Sequence, residues 1–182
     1  MPFDIDKVRV DPLTGLHRLD AFCCSYEPIQ QFCRTRLAEA HDTYSVRAFV
    51  ATHDGDPRIV GYYYLCLSTI SHDEAGLAVE GGFMHMTAVP TVYLGMFGVD
   101  RRLKKKGIGK RMMRDAFRRV ETIATNAGTY ALTLDAVDEE AAEYYEKFDF
   151  QRFAPGERKM FLELPTILAS NRALDEAEQQ AA

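Results

Sequence analysis

No apolar run in this 182-residue chain approaches the roughly 20 residues needed to cross a bilayer, so no helical membrane span is expected. The opening stretch, MPFDIDKVRV, is charged and lacks the apolar centre of a secretion signal, which makes the cytoplasm the expected location. Cysteine is sparse: Cys23, Cys24, Cys33 and Cys66 form no C-x-x-C pair, and no paired Cys/His spacing suggests zinc. Adjacent residues such as Cys23 and Cys24 hold their sulfurs in poor geometry for a disulfide, so reduced, partly buried thiols are expected. The five histidines are scattered, and no metal site is expected from them. No repeat, low-complexity block or Pro/Gly-rich linker divides the chain. A chain of this length fits one domain able to bury roughly two thirds of its unfolded surface.

What is present is an uneven charge. The net value is −5, yet Arg101 to Arg119 holds ten basic residues and one acid, Asp115. A basic island in an acidic protein points to a specific anion site more than to general affinity for nucleic acid.

Local patterns give a coarse order of elements. A short strand is expected near Lys7–Val10, then a helix from about Pro28 to His41 with Ile29, Phe32, Cys33, Arg36, Leu37 and Ala40 on one stripe. Val46–His53 and Arg58–Leu67 read as a hairpin around Asp54-Gly55-Asp56-Pro57. Ser71 to Pro90, broken by Gly76, Gly81 and Gly82, reads as a long irregular loop. The apolar run Thr91–Val99 has the character of a strand buried on both faces. A charged turn and Gly107-Ile108-Gly109 then open a helix reaching about Asn126, with Ile108, Met112, Ala116, Val120, Ile123 and Ala124 inward. Tyr130–Ala136 reads as a second buried strand, and Asp138–Phe148 as a short helix capped by Asp138. Phe150–Ala154 and Lys159–Leu164 flank a Pro155-Gly156 turn, and a polar helical tail runs over 166–182. The fold class is therefore α/β (α+β): a mixed, mostly antiparallel sheet flanked by helices, plus the C-terminal tail.

The most informative unit is strand, basic turn, Gly-x-Gly, helix. A helix N-terminus presents unpaired N–H groups and the positive end of its dipole, and so favours anions. Gly107 and Gly109 let a phosphate approach the backbone, and Lys104, Lys105 and Lys106 add charge beside it. Met112 breaks the G-x-G-x-x-G dinucleotide pattern, and the G-x-x-x-x-G-K-[ST] loop is absent, which argues against both nucleotide-binding classes. A pyrophosphate-binding turn and a solvated Lys/Arg loop capping a surface helix both stay open on these residues alone.

Val99-Asp100-Arg101-Arg102-Leu103-Lys104-Lys105-Lys106-Gly107-Ile108-Gly109 resembles the acetyl-CoA motif of GNAT acetyltransferases, a Val-ending strand followed by Q/R-x-x-G-x-G/A. Ala141-Ala142-Glu143-Tyr144-Tyr145-Glu146-Lys147-Phe148-Asp149-Phe150 resembles the family's A-x-x-x-Y-E-K-x-G-F segment. Further likeness runs to the GNAT toxins of bacterial toxin–antitoxin pairs. It is carried by Phe22-Cys23-Cys24-Ser25 through Ile29-Gln30-Gln31-Phe32-Cys33, by Arg47-Ala48-Phe49-Val50-Ala51, by Val60-Gly61-Tyr62-Tyr63 and by Leu94-Gly95-Met96-Phe97-Gly98-Val99. The resemblance spans about residues 13 to 164, and sets a GNAT domain over 1–165 with the tail over 166–182.

That resemblance implies acetyl transfer from acetyl-CoA to a primary amine, with no metal. Backbone groups of Phe97, Gly98 and Val99 would hold the acetyl-pantetheine arm and polarise the thioester carbonyl. Lys104, Lys105, Lys106, Gly107, Ile108, Gly109 and Lys110 would hold the pyrophosphate, with Asp138, which replaces a common Asn, beside the cofactor. Tyr145 aligns with the tyrosine that protonates the departing thiolate, a role suited to a side chain with a pKa of about 10. Tyr144 would point about 100 degrees away round the helix. Lys104 stands where Gln or Arg is usual, and Asp149 where Gly is usual; Asp tolerates left-handed backbone angles. In the toxin branch the acceptor is the α-amine of aminoacyl-tRNA, and Arg111, Arg114, Arg118 and Arg119 would extend the basic surface for it. Three functions stay open: a toxin-like enzyme acting on charged tRNA and neutralised by a ribbon-helix-helix antitoxin; an acetyltransferase for a small or protein amine; and a CoA-binding module without turnover. A homodimer is the family expectation.

Overall fold

The structure, a computed structural model, describes residues 3–75, 83 and 85–181. Among them run β1 (Val8–Pro12), α1 (Glu27–Thr35), α2 (Leu37–Asp42), β2 (Arg47–His53), β3 (Asp56–Ile70), α3 (His72–Ala75), β4 (Val89–Val99), α4 (Ile108–Asn126), β5 (Ala131–Asp135), α5 (Glu139–Glu146), β6 (Gln151–Arg152), β7 (Lys159–Glu163) and α6 (Leu164–Ala181). The strands form one seven-stranded sheet in the order β1-β2-β3-β4-β5-β7-β6. Pairing is antiparallel for β1–β2, β2–β3, β5–β7 and β6–β7, and parallel for β4–β5. This is the mixed, mostly antiparallel sheet with helices that the sequence pattern predicts. No helix of the described residues is long and apolar enough to cross a membrane.

The chain packs as two compact units, each discontinuous in sequence. The first comprises Met1–Cys66 with Leu94–Ala116, and the second Leu67–Tyr93 with Phe117–Ala182.

In the first unit, Asp54 (φ 54°) and Gly55 (φ 77°) turn the chain between β2 and β3, with His53 facing Asp56. Asp-Gly is favoured there because a two-residue hairpin loop of the type matching strand twist needs positive φ at both positions. The core of this unit gathers Phe22, Ile29, Cys33, Leu37, Ala48, Val50, Ile59 and Tyr62. The buried Tyr62 hydroxyl donates to the Ile29 carbonyl at 2.6 Å, which satisfies its one polar group.

The expected helix over 28–41 is instead two helices, broken at Arg36 (φ −130°, ψ −23°). The inward residues are Ile29, Cys33, Leu37 and His41. Three successive steps of four drift about 120° round an unbroken helix, and the break at Arg36 falls between the two inward pairs. His41 then accepts the Ala48 N–H on Nδ1 at 3.1 Å.

In the second unit, β5 is buried over Ala131–Leu134, as its apolar run requires. A smaller core joins Ile70, Val89, Tyr130 and Ala131 with Phe83, Phe153 and Phe161 packed on it. The Ser71–Pro90 stretch is less irregular than expected. Ser71 and Glu74 form a capping box on α3: the Glu74 N–H donates to Ser71 Oγ at 3.2 Å and the Ser71 N–H to Glu74 Oε2 at 2.9 Å. β4 begins at Val89. Positions 76–82 and 84 of that stretch lie outside the described residues.

The tail from Leu164 is a helix docked within this unit. Ile167 and Asn171 are buried, and Asn171 Nδ2 donates to the Phe117 carbonyl at 3.2 Å and to Glu121 Oε2 at 2.7 Å. Asp175 pairs with Arg118 through both carboxylate oxygens.

Candidate active site

β4 carries the first part of the site. No residue of Val89–Val99 is exposed, in line with its apolar sequence, and its parallel register with β5 covers Thr91–Tyr93. The strand continues to Val99 through Met96, whose φ of 50° is left-handed. Such an angle is a local strain for a bulky side chain, of the kind that re-aims a strand. Immediately after it, the Phe97 ring stacks on Tyr63 at 6.1 Å. Gly98 has no room for a side chain: a Cβ there would lie 2.7 Å from Ile29 Cγ2. At Gly95 the Tyr64 ring would be met at 2.1 Å. These glycines keep the backbone of the strand end narrow.

A tight turn follows. Asp100 Oδ1 accepts the Arg102 N–H at 3.0 Å and caps the short 3-10 turn Arg101–Leu103. Lys105 (φ 60°) and Gly107 (φ 87°) are both left-handed. That angle explains why glycine stands at 107, and space there is also tight: a Cβ would lie 3.3 Å from Ile5 Cγ1. α4 starts at Ile108, whose buried side chain fixes the helix N-terminus, while Lys104, Lys105, Lys106 and Lys110 are exposed. The first amides of α4 have no intrahelical acceptor, and its dipole is positive at that end. A narrow glycine backbone leading into such an N-terminus ringed by lysines suits an extended thioester ending in a pyrophosphate. The residues Phe97 to Lys110 named from the sequence thus lie along one continuous stretch of the first unit.

Tyr145 and Asp138 belong to the second unit. Tyr145 sits in the last turn of α5, is 8% exposed, and meets Tyr144 and Phe150 edge-to-face, each at 5.7 Å. Phe117 approaches Phe150 at 6.4 Å, so the tyrosine ring is held in an aromatic cluster. Burial pushes the Tyr144 hydroxyl up to about 12. Asp138 Oδ1 accepts the Ala141 N–H at 2.8 Å, capping α5, and this cap holds the helix that carries Tyr145. Asp149 takes a φ of 67° at the helix exit, the left-handed angle for which glycine is the usual residue.

The basic face of α4 is less continuous than its sequence suggests. Arg111 Nη1 donates to the Ile5 carbonyl at 3.3 Å, Arg118 is engaged by Asp175, and Arg114 is exposed. Burial raises the Cys24 and Cys66 thiols and pushes Cys33 up to about 12. Sequence reasoning left one site residue unassigned. Asp100 is 1% exposed, and its carboxylate also accepts Arg102 Nε at 2.8 Å, Arg102 Nη2 at 2.6 Å and the Cys23 N–H at 3.3 Å. An acid immediately before a stretch of ten cations was the available signal.

Comparison with known proteins agrees with this fold. The model of the Acetyltransferase (GNAT) family matches residues 15–150. A tRNA-acetylating toxin of Mycobacterium tuberculosis is 32% identical over 128 residues, covering 70% of this chain and 75% of the relative. Among solved structures, a tyrosine-to-phenylalanine mutant of KacT superposes with a TM-score of 0.83 at 20% identity, over 90% of this chain and 98% of that one. AtaT complexed with acetyl-methionyl-tRNAfMet gives 0.80 at 23% identity, over 89% and 98%. At these identities the structural matches speak for the fold.

Proposed function

The chain belongs to the GNAT acetyltransferase family and is an acetyl-CoA-dependent N-acetyltransferase, and from that premise we propose that its acceptor is the α-amine of an aminoacyl-tRNA. The observation that carries the reading is the set of exposed lysines, Lys104, Lys105, Lys106 and Lys110, gathered at the α4 N-terminus in the unit where the cationic charge collects. Similarity to a tRNA-acetylating toxin supports it. That unit holds fifteen basic and eleven acidic residues, against seven and sixteen in the other. A polyanionic acceptor is attracted to the first and repelled by the second.

Bound acetyl-CoA supplies the thioester: the acceptor amine attacks its carbonyl carbon, the C–N bond forms, the C–S bond breaks, and the thiolate leaves. The backbone of Phe97, Gly98 and Val99 orients the acyl arm, with an N–H placed to stabilise the developing oxyanion. Lys104, Lys105, Lys106 and the amides of Ile108, Gly109 and Lys110 bind the pyrophosphate. Tyr145 donates its hydroxyl proton to the thiolate and recovers one from solvent or from the acetylated ammonium. Asp138 serves the site by capping the helix beneath Tyr145. A ribbon-helix-helix antitoxin and a homodimeric, cytoplasmic enzyme complete the proposal, supported by the toxin-like segments Phe22–Cys33 and Arg47–Tyr63.

A small or protein amine is the second reading, favoured by the acidity of the second unit, which suits a cationic acceptor. One experiment separates the two. The purified chain is incubated with radiolabelled acetyl-CoA and charged tRNAs, uncharged tRNA, free amino acids or polyamines. Label on charged tRNA alone is expected; label on amines with none on tRNA overturns the tRNA reading.

A further inference from the structure

The segment Ala21–Cys24 belongs to no helix or strand, yet six of its eight backbone polar groups are hydrogen-bonded. The Phe22 N–H donates to the Leu19 carbonyl at 3.2 Å, and the Phe22 carbonyl accepts Arg34 Nε at 3.0 Å and Nη2 at 2.6 Å. Gln30 Oε1 accepts the Cys24 N–H at 3.1 Å. The other bonds come from the cofactor turn. The Arg101 N–H donates to the Cys23 carbonyl at 2.8 Å, Asp100 Oδ2 accepts the Cys23 N–H at 3.3 Å, and Arg102 Nη2 reaches the Ala21 carbonyl at 3.2 Å.

The same segment lies against the end of β4. A Cβ on Gly98 would be 3.5 Å from both Cys24 Sγ and Phe22 Cζ. So one short stretch touches the strand that is proposed to hold the acyl arm and is tied to the turn proposed to hold the pyrophosphate. Two of these three ties depend on one buried carboxylate: Asp100 accepts the Cys23 N–H and holds the Arg102 guanidinium that reaches Ala21, while the Arg101 N–H bonds Cys23 directly. Burial alone would raise the Asp100 carboxyl, but bonds from the Arg102 guanidinium and from the Arg102 and Cys23 N–H groups outweigh it and hold it below its usual range.

We infer that Asp100 is a positioning residue that couples the cofactor turn to the Ala21–Cys24 segment, so that filling the turn orders the wall beside the reacting end of β4. It touches neither substrate. Its effect passes through Cys23 and Arg102: an anion that immobilises Lys104–Gly109 also immobilises Arg101–Leu103, and with them the atoms bonded to Ala21 and Cys23. The inference rests on the cofactor reading given above.

Hydrogen exchange of the full chain with and without acetyl-CoA, read at peptide level, tests it. In the wild type, acetyl-CoA slows exchange both over 104–109 and over 21–24. In Asp100→Asn, which keeps the cap on Arg102 but loses the charge, protection over 104–109 persists while that over 21–24 is lost. Acetyl-transfer kcat falls about tenfold and the acetyl-CoA Kd stays within about twofold, because misplacement and not binding is at fault. Arg102→Gln, which leaves the carboxylate in place but removes its link to Ala21, gives the same split and serves if the Asn variant does not fold. Protection confined to 104–109 in the wild type, or retained over 21–24 in both variants, overturns the coupling. No protection in either segment overturns the cofactor reading itself.

Discussion

The two units of this chain are opposite in charge and in the use they make of it. The first has four more basic than acidic residues, and it gathers cations at a turn: Lys104, Lys105, Lys106 and Lys110 stand exposed round a helix N-terminus. The second has nine more acids than bases, and three of its cations are engaged in ion pairs. Arg152 bonds Glu139 and Glu146, Lys159 bonds Glu74, and Arg118 bonds Asp175. The first unit also strips side chains from its site, at Gly95 and Gly98, while the second packs rings round Tyr145. A net charge of −5 averages over this division and conceals it. Anion binding needs exposed cations and bare backbone; a proton donor needs a ring held in place.

The largest effect should come from filling the bare backbone. Gly98→Val puts a side chain against Ile29 and should cost about 1–3 kcal/mol by overpacking, with acetyl-CoA binding lost. Gly128→Ala in the second unit meets open space and should leave the melting temperature unchanged or slightly raised. Equal losses in calorimetry for both would erase the contrast.

Next comes Tyr145→Phe, which should lower kcat on the order of a hundredfold with acetyl-CoA affinity and stability kept. Tyr144→Phe should leave kcat nearly intact, so a comparable loss there would move the proton donor to the neighbouring ring. Replacing Lys104, Lys105 and Lys106 by Gln should raise the acetyl-CoA KM about tenfold while kcat holds, as for groups that bind ground and transition states alike. Glu140→Gln with Glu143→Gln, both exposed in the acidic unit, should leave that KM where it was.

The smallest effect is a pH dependence in the first unit. Burial and then the nearby Arg47 hold His41 below its usual value, so the unfolded chain binds this proton before the folded one does. Its contribution to stability is complete above a pH of about 6.5 and is lost as pH falls through the lowered folded value. Thermal melting from pH 7.5 to 5 should show this decline, and His41→Gln should flatten it.

Features set by neighbours in sequence were readable. Asp54-Gly55 announced the β2–β3 hairpin, Asp138 the start of α5, Gly107 the entry to α4, and the apolar runs β4 and β5. The α3 capping box was also written locally, as Ser71-His72-Asp73-Glu74, but the glycines after it drew the reading to a loop. Arg36 carries no breaker signature; beyond the break His41 accepts the Ala48 amide, a partner distant in local pattern, while Ile29 stays inward. The tail read only as a polar helix, because its few inward residues, Ile167 and Asn171 among them, are too sparse to form a stripe.

The sequence by itself determined most of the elements and the cation-rich turn, because turn angles, caps and helix-end electrostatics act over a few residues. Only the tertiary structure decided which charges stay available and which are consumed. Asp175 takes Arg118 from fifty-seven positions away, and Asp100 takes Cys23 from seventy-seven. A carboxylate's partner is whatever cation or amide the fold brings within about 3 Å, and that distance is not a property of the chain order.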